Sequence, residues 1–210
     1  MNEFITIKES VKVEIVEKKS KFIANLFYAE SISEAEEIIK KMKKEYFDAR
    51  HNCIAYRIIE EETIIEKSSD DGEPSGTAGA PMLNILQKNN LCNVVIIVTR
   101  YFGGILLGTG GLVRAYSEAL KKALEKAILI KKVEGEKIEI ELDYSNFEGL
   151  KYCCRINNIN IVNIRYLENI FCEIEVEKTK KQKLLKDLEV KNVILKNIDV
   201  IKNKFIVETC

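Results

Sequence analysis

The sequence is organised around two neighbouring segments, SDDGEPSGTAGAP at Ser69–Pro81 and NVVIIVTRYFGGILLGTGGLVRAY at Asn93–Tyr116. They hold eight of the chain's 10 glycines and both of its prolines. Glycine is used where the backbone takes a positive φ or approaches a neighbour closely. Between the glycine loops, the apolar run Val94–Val98 is typical of a central strand that is buried on both faces. The pattern therefore predicts two glycine loops that frame a buried strand, at a place where the backbone closely approaches another group.

The composition indicates how many domains the chain can form and which kinds of binding partner its charge favours. The chain has 210 residues, of which 46% are hydrophobic and 31% charged, so it can form one large or two small packed domains. Its 33 basic and 33 acidic residues cancel. This balance argues against strong, uniform attraction to nucleic acid or membrane, although a local basic patch is compatible with it.

The N-terminus, MNEFITIKES, lacks the basic and apolar regions of a signal peptide. No apolar run approaches the roughly 18–20 residues of a membrane-spanning helix. We therefore expect no membrane partner and a cytoplasmic location. The six cysteines include no C-x-x-C pair, so we predict reduced thiols that are mostly buried.

The first half of the chain is predicted to mix strands and helices. Apolar residues alternate in some segments and recur with helical period in others. Strands are expected at 3–7, 11–16, 21–28, 52–59, 63–66 and 94–98, and helices at 31–47, from Pro81 onward, and after Gly111. Ser33 and Glu36 predict a capping box at the start of the first helix.

A shift in composition at 131–136 indicates a linker between two domains, 1–133 and 134–210. In the second domain, strands are expected at 137–144, 159–167, 169–177, 190–195 and 200–207, and helices at 146–156 and 179–188. The order β-α-β-β-α-β is that of a ferredoxin-like unit. The fold class predicted for the whole chain is α+β.

The segment GTGG at 108–111 leads into a long predicted helix, where free N–H groups and the helix dipole favour negative charge. Arg100 follows the buried strand and Arg114 lies near the start of the helix, so phosphate is a fitting ligand. The segment is not a Walker A loop, and Val113 occupies the position of the third glycine of G-x-G-x-x-G. The alternative is that these glycines only allow close packing of the helix on the sheet.

Asp70, Asp71 and Glu73 form an acidic loop that could hold Mg²⁺ or act as acid and base. Such a turn beside glycine and proline also occurs in loops that only need solvation. His51 and Cys53 suggest a Cys–His nucleophile, but this spacing does not require contact and no orienting residue is specified. We predict no catalytic residue, no metal and no cofactor.

Tyr101 and Phe102 beside Arg100 form the aromatic and arginine combination of a single-stranded nucleic-acid platform. The alternative is that one ring packs in the core while the other covers the glycine loop. The lysine-rich run at 178–183 can contact phosphate, but Lys186 and nearby acids also fit a solvated helix face.

The motifs DDGEPSGTAGAP, VTRYFGG and LGTGGLVRAY closely resemble those of the YigZ/IMPACT family. The similar block runs from HNCIAY at His51 to Tyr116. The resemblance implies a first domain of the ribosomal-protein S5 domain 2-like type, with helices on one face of a sheet. It implies a second domain similar to the ferredoxin-like last domain of elongation factor G. Such folds recur in ribosomal and nucleic-acid-handling proteins, although a fold alone does not assign a function.

The resemblance also implies a link to translation. Eukaryotic IMPACT members regulate translation through a kinase-activating partner, and they use an additional N-terminal domain without a counterpart here, so we do not transfer that partnership. No established catalytic residue is implied. The candidate binding residues are Asp71, Glu73, Ser75, Thr77, Arg100, Tyr101, Gly103, Gly104, Thr109, Gly110, Gly111 and Arg114.

These observations support three hypotheses. The leading one is a non-enzymatic, cytoplasmic protein that binds RNA or the ribosome and modulates translation. The second is a metal-dependent hydrolase of a small phosphorylated or peptide substrate, using Asp70, Asp71 and Glu73. The third is a protein-interaction module whose second domain holds a protein partner.

Overall fold

The computed structural model describes residues 3–61 and 63–207, apart from the side chains of 202–204. The chain divides into two compact units, of which the first is Phe4–Ile130 and the second is formed largely by the residues that follow. The domain boundaries expected from the sequence, 1–133 and 134–210, stay a prediction. The segment 131–136, which the composition indicates as a linker, lies within a continuous strand, Leu129–Leu142, and the division between the two units falls between Ile130 and Lys131.

The first unit is built around a five-stranded antiparallel sheet. The elements of this part of the chain are, in order, β1 (Glu3–Ile7), β2 (Val11–Glu17), β3 (Ser20–Tyr28), α1 (Ile32–Glu45), β4 (His51–Glu60), β5 (Thr63–Ser69), α2 (Gly79–Lys88), β6 (Val94–Tyr101) and α3 (Thr109–Lys126). Strand β1 is not part of this five-stranded sheet. The strand order in the sheet is β2-β3-β6-β4-β5. The run Val94–Val98 thus lies in the central strand, buried on both faces as predicted.

Alternate side chains of β6 belong to two different hydrophobic cores, one on each face of the sheet. Val94, Ile96 and Val98 pack with α2 and α3, whereas Val95 and Ile97 pack with α1. The helices therefore lie on both faces of the sheet. The arrangement on one face, implied by the family resemblance, is wrong for α1, because Ala35, Ile39 and Met42 give that helix an apolar face of its own.

For α1 and α2, the structure shows why the helix start differs from the prediction. The cap of α1 is Ser31 rather than Ser33: Ser31 has an extended backbone and its Oγ accepts a hydrogen bond from the N–H of Glu34 at 3.2 Å. Helix α2 begins at Gly79, two residues before Pro81, because a distant carboxylate accepts a hydrogen bond from the Gly79 N–H.

The second unit has the predicted β-α-β-β-α-β order. Its elements are β7 (Leu129–Leu142), α4 (Tyr144–Ile156), β8 (Asn160–Tyr166), β9 (Ile170–Glu177), α5 (Lys178–Val190) and β10 (Leu195–Val207). Strand β7 pairs antiparallel with β9 and β10, and β9 pairs antiparallel with β8. Helices and sheet share one core, which includes Leu150, Ile174 and Leu184.

A strand predicted at 190–195 is absent at those positions, since Val190 still belongs to α5 and the last described strand begins at Leu195. Leu184 and Leu188 extend the helical burial pattern, and Asn192 then reverses the chain with a φ of 53°. The two units confirm the α+β fold class, with an S5 domain 2-like first part and a ferredoxin-like second part.

Candidate functional site

Asp70 folds the acidic loop and caps α2 from a distance. Its Oδ1 accepts hydrogen bonds from the N–H groups of Ala78 at 2.9 Å and Gly79 at 2.8 Å, and its Oδ2 accepts one from Gly76 at 2.8 Å. A carboxylate stabilises the N–H groups that a helix start leaves unpaired. Asp70, considered above as a metal ligand or an acid, is thus engaged with backbone.

Asp71 fixes the same loop to its neighbours. The residue has a left-handed φ of 44°, and its carboxylate accepts hydrogen bonds from Lys43 Nζ and from the N–H of Asn52, both at 2.7 Å. The Nδ1 of His51 lies 3.0 Å from the carbonyl oxygen of Asp71. These contacts place His51 against the loop backbone.

Glu73, Arg100 and Tyr116 form a buried polar cluster. Oε1 of Glu73 accepts hydrogen bonds from Arg100 Nη1 at 2.7 Å and from the hydroxyl of Tyr116 at 2.8 Å. The Arg100 guanidinium also lies near the rings of Phe22 and Phe102, at 5.5 and 5.6 Å from their centroids. Burial raises the pKa of the Tyr116 phenol. The cluster joins the acidic loop, β6 and α3, which are far apart in sequence.

Cys53 lies beside this cluster as a neutral thiol. Its Sγ donates a hydrogen bond to the carbonyl oxygen of Asp70 at 3.0 Å. Burial raises the pKa of the Cys53 thiol to about 12. A thiol rather than a thiolate is a weak nucleophile. No hydrogen bond joins Cys53 to His51 in the described part of the chain, so the geometry does not support the Cys–His hypothesis.

The remaining polar candidates make local contacts or face solvent. Ser75 is exposed, whereas Thr77 is buried and its hydroxyl donates to the carbonyl of Pro74 at 2.7 Å. The Tyr101 hydroxyl donates to Asp48 at 2.8 Å. Burial, together with this hydrogen bond, raises the pKa of Tyr101 to about 12.

Gly103 is required for packing. A Cβ on this residue would lie 2.0 Å from backbone atoms of Lys19, in the turn between β2 and β3. The N–H of Gly103 also donates to Ser20 Oγ at 3.2 Å. Gly104 follows with a φ of 85° and open space where a Cβ would lie. Gly103 is therefore required for close packing against Lys19, and Gly104 for the positive φ of the turn.

The loop that follows β6 displays apolar side chains. Phe102 is 53% exposed, Ile105 42% and Leu106 82%. Ile105 and Leu106 are not among the candidate residues predicted from the sequence. Their exposure could have been predicted from their position between Gly104 and Gly108, which both have a positive φ. A buried strand does not continue through such a turn, so two large apolar side chains there indicate an exposed apolar patch.

Helix α3 begins at Thr109 with no side-chain cap, and Thr109 and Gly110 are exposed. Arg114 is also exposed and makes no hydrogen bond or ion pair with any described residue. Its Nη1 lies 3.7 Å from the position that a Cβ on Gly110 would take, so the side chain reaches back over the first turn. A Cβ on Gly111, by contrast, would meet Leu107 at 2.9 Å.

We define the glycine-loop surface as Phe102, Ile105, Leu106 and Arg114. The sequence predicts one phosphate site that contains both Arg100 and Arg114, but the structure places them in different environments. Arg100 is only 7% exposed and is paired with Glu73, whereas Arg114 faces solvent. The set of candidate binding residues stays a prediction, and within it Arg114 is the arginine that a ligand can reach.

The described residues show neither a metal centre nor a membrane span. Within them, no group of three or more His, Cys, Asp or Glu is arranged to hold a metal ion. The described helices also include none with the length and apolar character needed to cross a membrane.

The fold and site define an α+β protein of two units, with an acidic loop fixed to the end of its central strand. Residues 18–124 match the Impact N-terminal domain. IMPACT family member YvyE of Bacillus subtilis (strain 168) is 40% identical over 177 residues, which cover 84% of this chain and 81% of YvyE. The chain belongs to the IMPACT family, and this confirms the resemblance seen in the motifs.

Other relatives agree with this assignment. IMPACT family member YigZ of Escherichia coli (strain K12) is 33% identical over 163 residues, or 77% of each chain. A crystal structure described as that of a hypothetical protein aligns with 97% of this chain and 100% of its own, at a TM-score of 0.62 and 29% identity. The likeness thus extends over both units.

Proposed function

We propose that this protein is a cytoplasmic, translation-linked regulatory protein that binds RNA or the ribosome through its glycine-loop surface. The observation that carries the proposal is Arg114, an exposed arginine with no partner among the described residues, beside the uncapped start of α3. The link to translation is what membership of the IMPACT family implies. The contact itself is inferred from the chemistry of the surface.

The chemistry of this surface fits nucleic acid. A guanidinium forms two parallel hydrogen bonds with a phosphate group, and the free N–H groups at the start of α3 favour an anion. The half-exposed ring of Phe102 offers a face on which a base can stack. Because the 33 basic and 33 acidic residues of the chain cancel, such binding depends on local groups rather than on net charge.

The acidic loop is better suited to holding this surface in place than to hydrolysis. The carboxylates of Asp70, Asp71 and Glu73 each accept at least two hydrogen bonds from protein groups. These bonds hold the carboxylates against protein groups, and among the described residues no group of three or more His, Cys, Asp or Glu is arranged to hold a metal ion. We therefore assign the loop a positioning role in the proposal.

A protein contact at the same loop is the second candidate. It is favoured by the exposure of Ile105 and Leu106, because adjacent exposed apolar side chains are more typical of protein interfaces than of phosphate contacts. In this case the partner is a protein, of the ribosome or of the translation apparatus. Leu106→Ser then weakens association more than Arg114→Ala does.

The test is binding of a single-stranded oligouridine and of purified ribosomes across a salt series. We expect Arg114→Ala to weaken both interactions and to lower the slope of log affinity against log salt by about 1. Lys121→Ala is the matched control, since Lys121 is an exposed cation further along α3. Arg100 is unsuitable for this test because it is buried and its loss perturbs the fold.

Equal affinity and equal salt slope for wild type and Arg114→Ala would contradict the site assignment. Absence of binding to both probes by the wild-type protein would contradict the proposed function. Ribosome binding that is sensitive to Leu106→Ser but insensitive to salt would favour the second candidate.

A further inference from the structure

A second surface of the first unit lies on the opposite face of the sheet from α2 and α3. It is a groove of about 470 Å³ between α1 and β5, which we call the α1 groove. Its floor includes Ile39 and Ile54, and its lysines are Lys40, Lys43, Lys44 and Lys67. Glu36 is the acidic residue in its lining, so the groove has an excess of positive charge within a chain of zero net charge.

The four lysines are not equivalent. Lys43 pairs with Asp71 and Lys67 pairs with Glu36, both at 2.7 Å. Lys40 and Lys44 are exposed and form no ion pair with a described residue. They are one helical turn apart on α1 and therefore lie on the same face. Two neighbouring cations above an aliphatic floor favour a ligand that carries spaced negative charges and apolar groups.

The wall of the groove opposite α1 is an open sheet edge. Strand β5 is the last strand in the order β2-β3-β6-β4-β5 and pairs only with β4 in the described chain. An edge strand presents N–H and C=O groups that an extended segment of another chain can pair with. At the other edge, by contrast, Lys126 donates a hydrogen bond to the carbonyl of Lys12 in β2.

We propose that the α1 groove binds an extended, acidic segment of a partner protein, whose carboxylates pair with Lys40 and Lys44 and whose backbone lies along β5. Its apolar side chains contact Ile39 and Ile54. The groove lining contains no aromatic side chain and no arginine among the described residues, whereas single-stranded nucleic acid is held by stacking on aromatic rings and by arginine. The observations therefore favour an acidic peptide over RNA at this surface.

The test uses the full-length protein and a short, fluorescein-labelled peptide of alternating Glu and Val. We expect Lys40→Gln/Lys44→Gln to weaken peptide binding about three- to tenfold, from the loss of two exposed ion pairs. Lys183→Gln/Lys186→Gln in α5 removes the same charge from another exposed helix face, and is expected to leave the affinity unchanged. A peptide of alternating Lys and Val is expected not to bind.

A second measurement tests the position of the peptide. Hydrogen exchange is expected to slow at the amides of β5 in the complex, which a diffuse charge attraction would not produce. The proposal is overturned if the acidic peptide does not bind, if both lysine variants bind it equally, or if β5 exchange is unchanged. It is also overturned if oligouridine, rather than the peptide, loses affinity in Lys40→Gln/Lys44→Gln. Arg114→Ala is expected to retain peptide binding, which separates this inference from the proposed function.

Discussion

At the scale of single residues, the charged side chains of the two glycine-rich segments are of two kinds: some stabilise the fold and others face solvent. Glu73 and Arg100 belong to the first kind, with side chains 3% and 8% exposed and a separation of 2.7 Å. Arg114 belongs to the second kind. Because a buried ion pair and an exposed arginine respond differently to substitution, stability measurements distinguish them.

Arg100→Ala is expected to lower the free energy of unfolding by about 3–5 kcal/mol, because it leaves the Glu73 carboxylate buried without its cation. Urea unfolding followed by circular dichroism measures this change. Arg114→Ala is the control, and as an exposed substitution it is expected to change the free energy of unfolding by less than about 0.5 kcal/mol. Similar small changes in both variants would mean that the Glu73–Arg100 pair does not hold the loop.

At the scale of elements, Asp70 defines where α2 begins. Asp70→Ala leaves the N–H groups of Gly76, Ala78 and Gly79 without their acceptor. We expect this to destabilise the start of α2 by about 2–3 kcal/mol, since hydrogen bonds to a charged group contribute more than neutral ones. Faster hydrogen exchange of the α2 amides measures the loss.

Two further variants are compared with Asp70→Ala, one as a control and one as a conservative replacement. Ser75→Ala alters the same loop at an exposed residue and is expected to leave exchange in α2 unchanged. Asp70→Asn keeps one acceptor oxygen and is expected to show an intermediate effect. If exchange in α2 is equally fast in Asp70→Ala and Ser75→Ala, the cap does not determine the helix start.

Most elements could be predicted from the sequence because their signals are local. Alternating polar and apolar residues predict the strands, and apolar residues at helical spacing predict α3, whose buried face includes Leu112 and Tyr116. The burial of Arg100 was also predictable, because side chains two residues apart in a strand lie on the same face, and Arg100 follows Val98 at that spacing. The prediction missed it by ending the strand at Val98 rather than Tyr101.

Other features have no local signal. The capping carboxylate of Asp70 lies several residues before the helix it caps, and Glu73 meets Tyr116 only after the whole sheet has formed. The requirement for glycine at 103 likewise depends on the backbone of Lys19, in another hairpin. These contacts depend on tertiary structure, so residue spacing along the chain could not predict them.

At the scale of the whole molecule, the two units have separate hydrophobic cores. Ile97 is fully buried in a core of the first unit, and Ile174 is fully buried in the core of the second. Units with their own cores often unfold independently. The chain passes from the first unit into the second within β7. Whether the two units unfold independently is therefore tested by experiment.

We expect Ile174→Ala to lower the free energy of opening of the β9 amides by about 2–5 kcal/mol, the usual cost of a cavity left by a buried isoleucine. The β6 amides are expected to keep their protection. Ile97→Ala makes the same chemical change in the first unit, and the reverse result is expected. Native-state hydrogen exchange with residue resolution measures both variants. If either substitution lowers protection equally in β6 and β9, the two units unfold as one cooperative structure, and the partner surfaces of the first unit depend on the stability of the second.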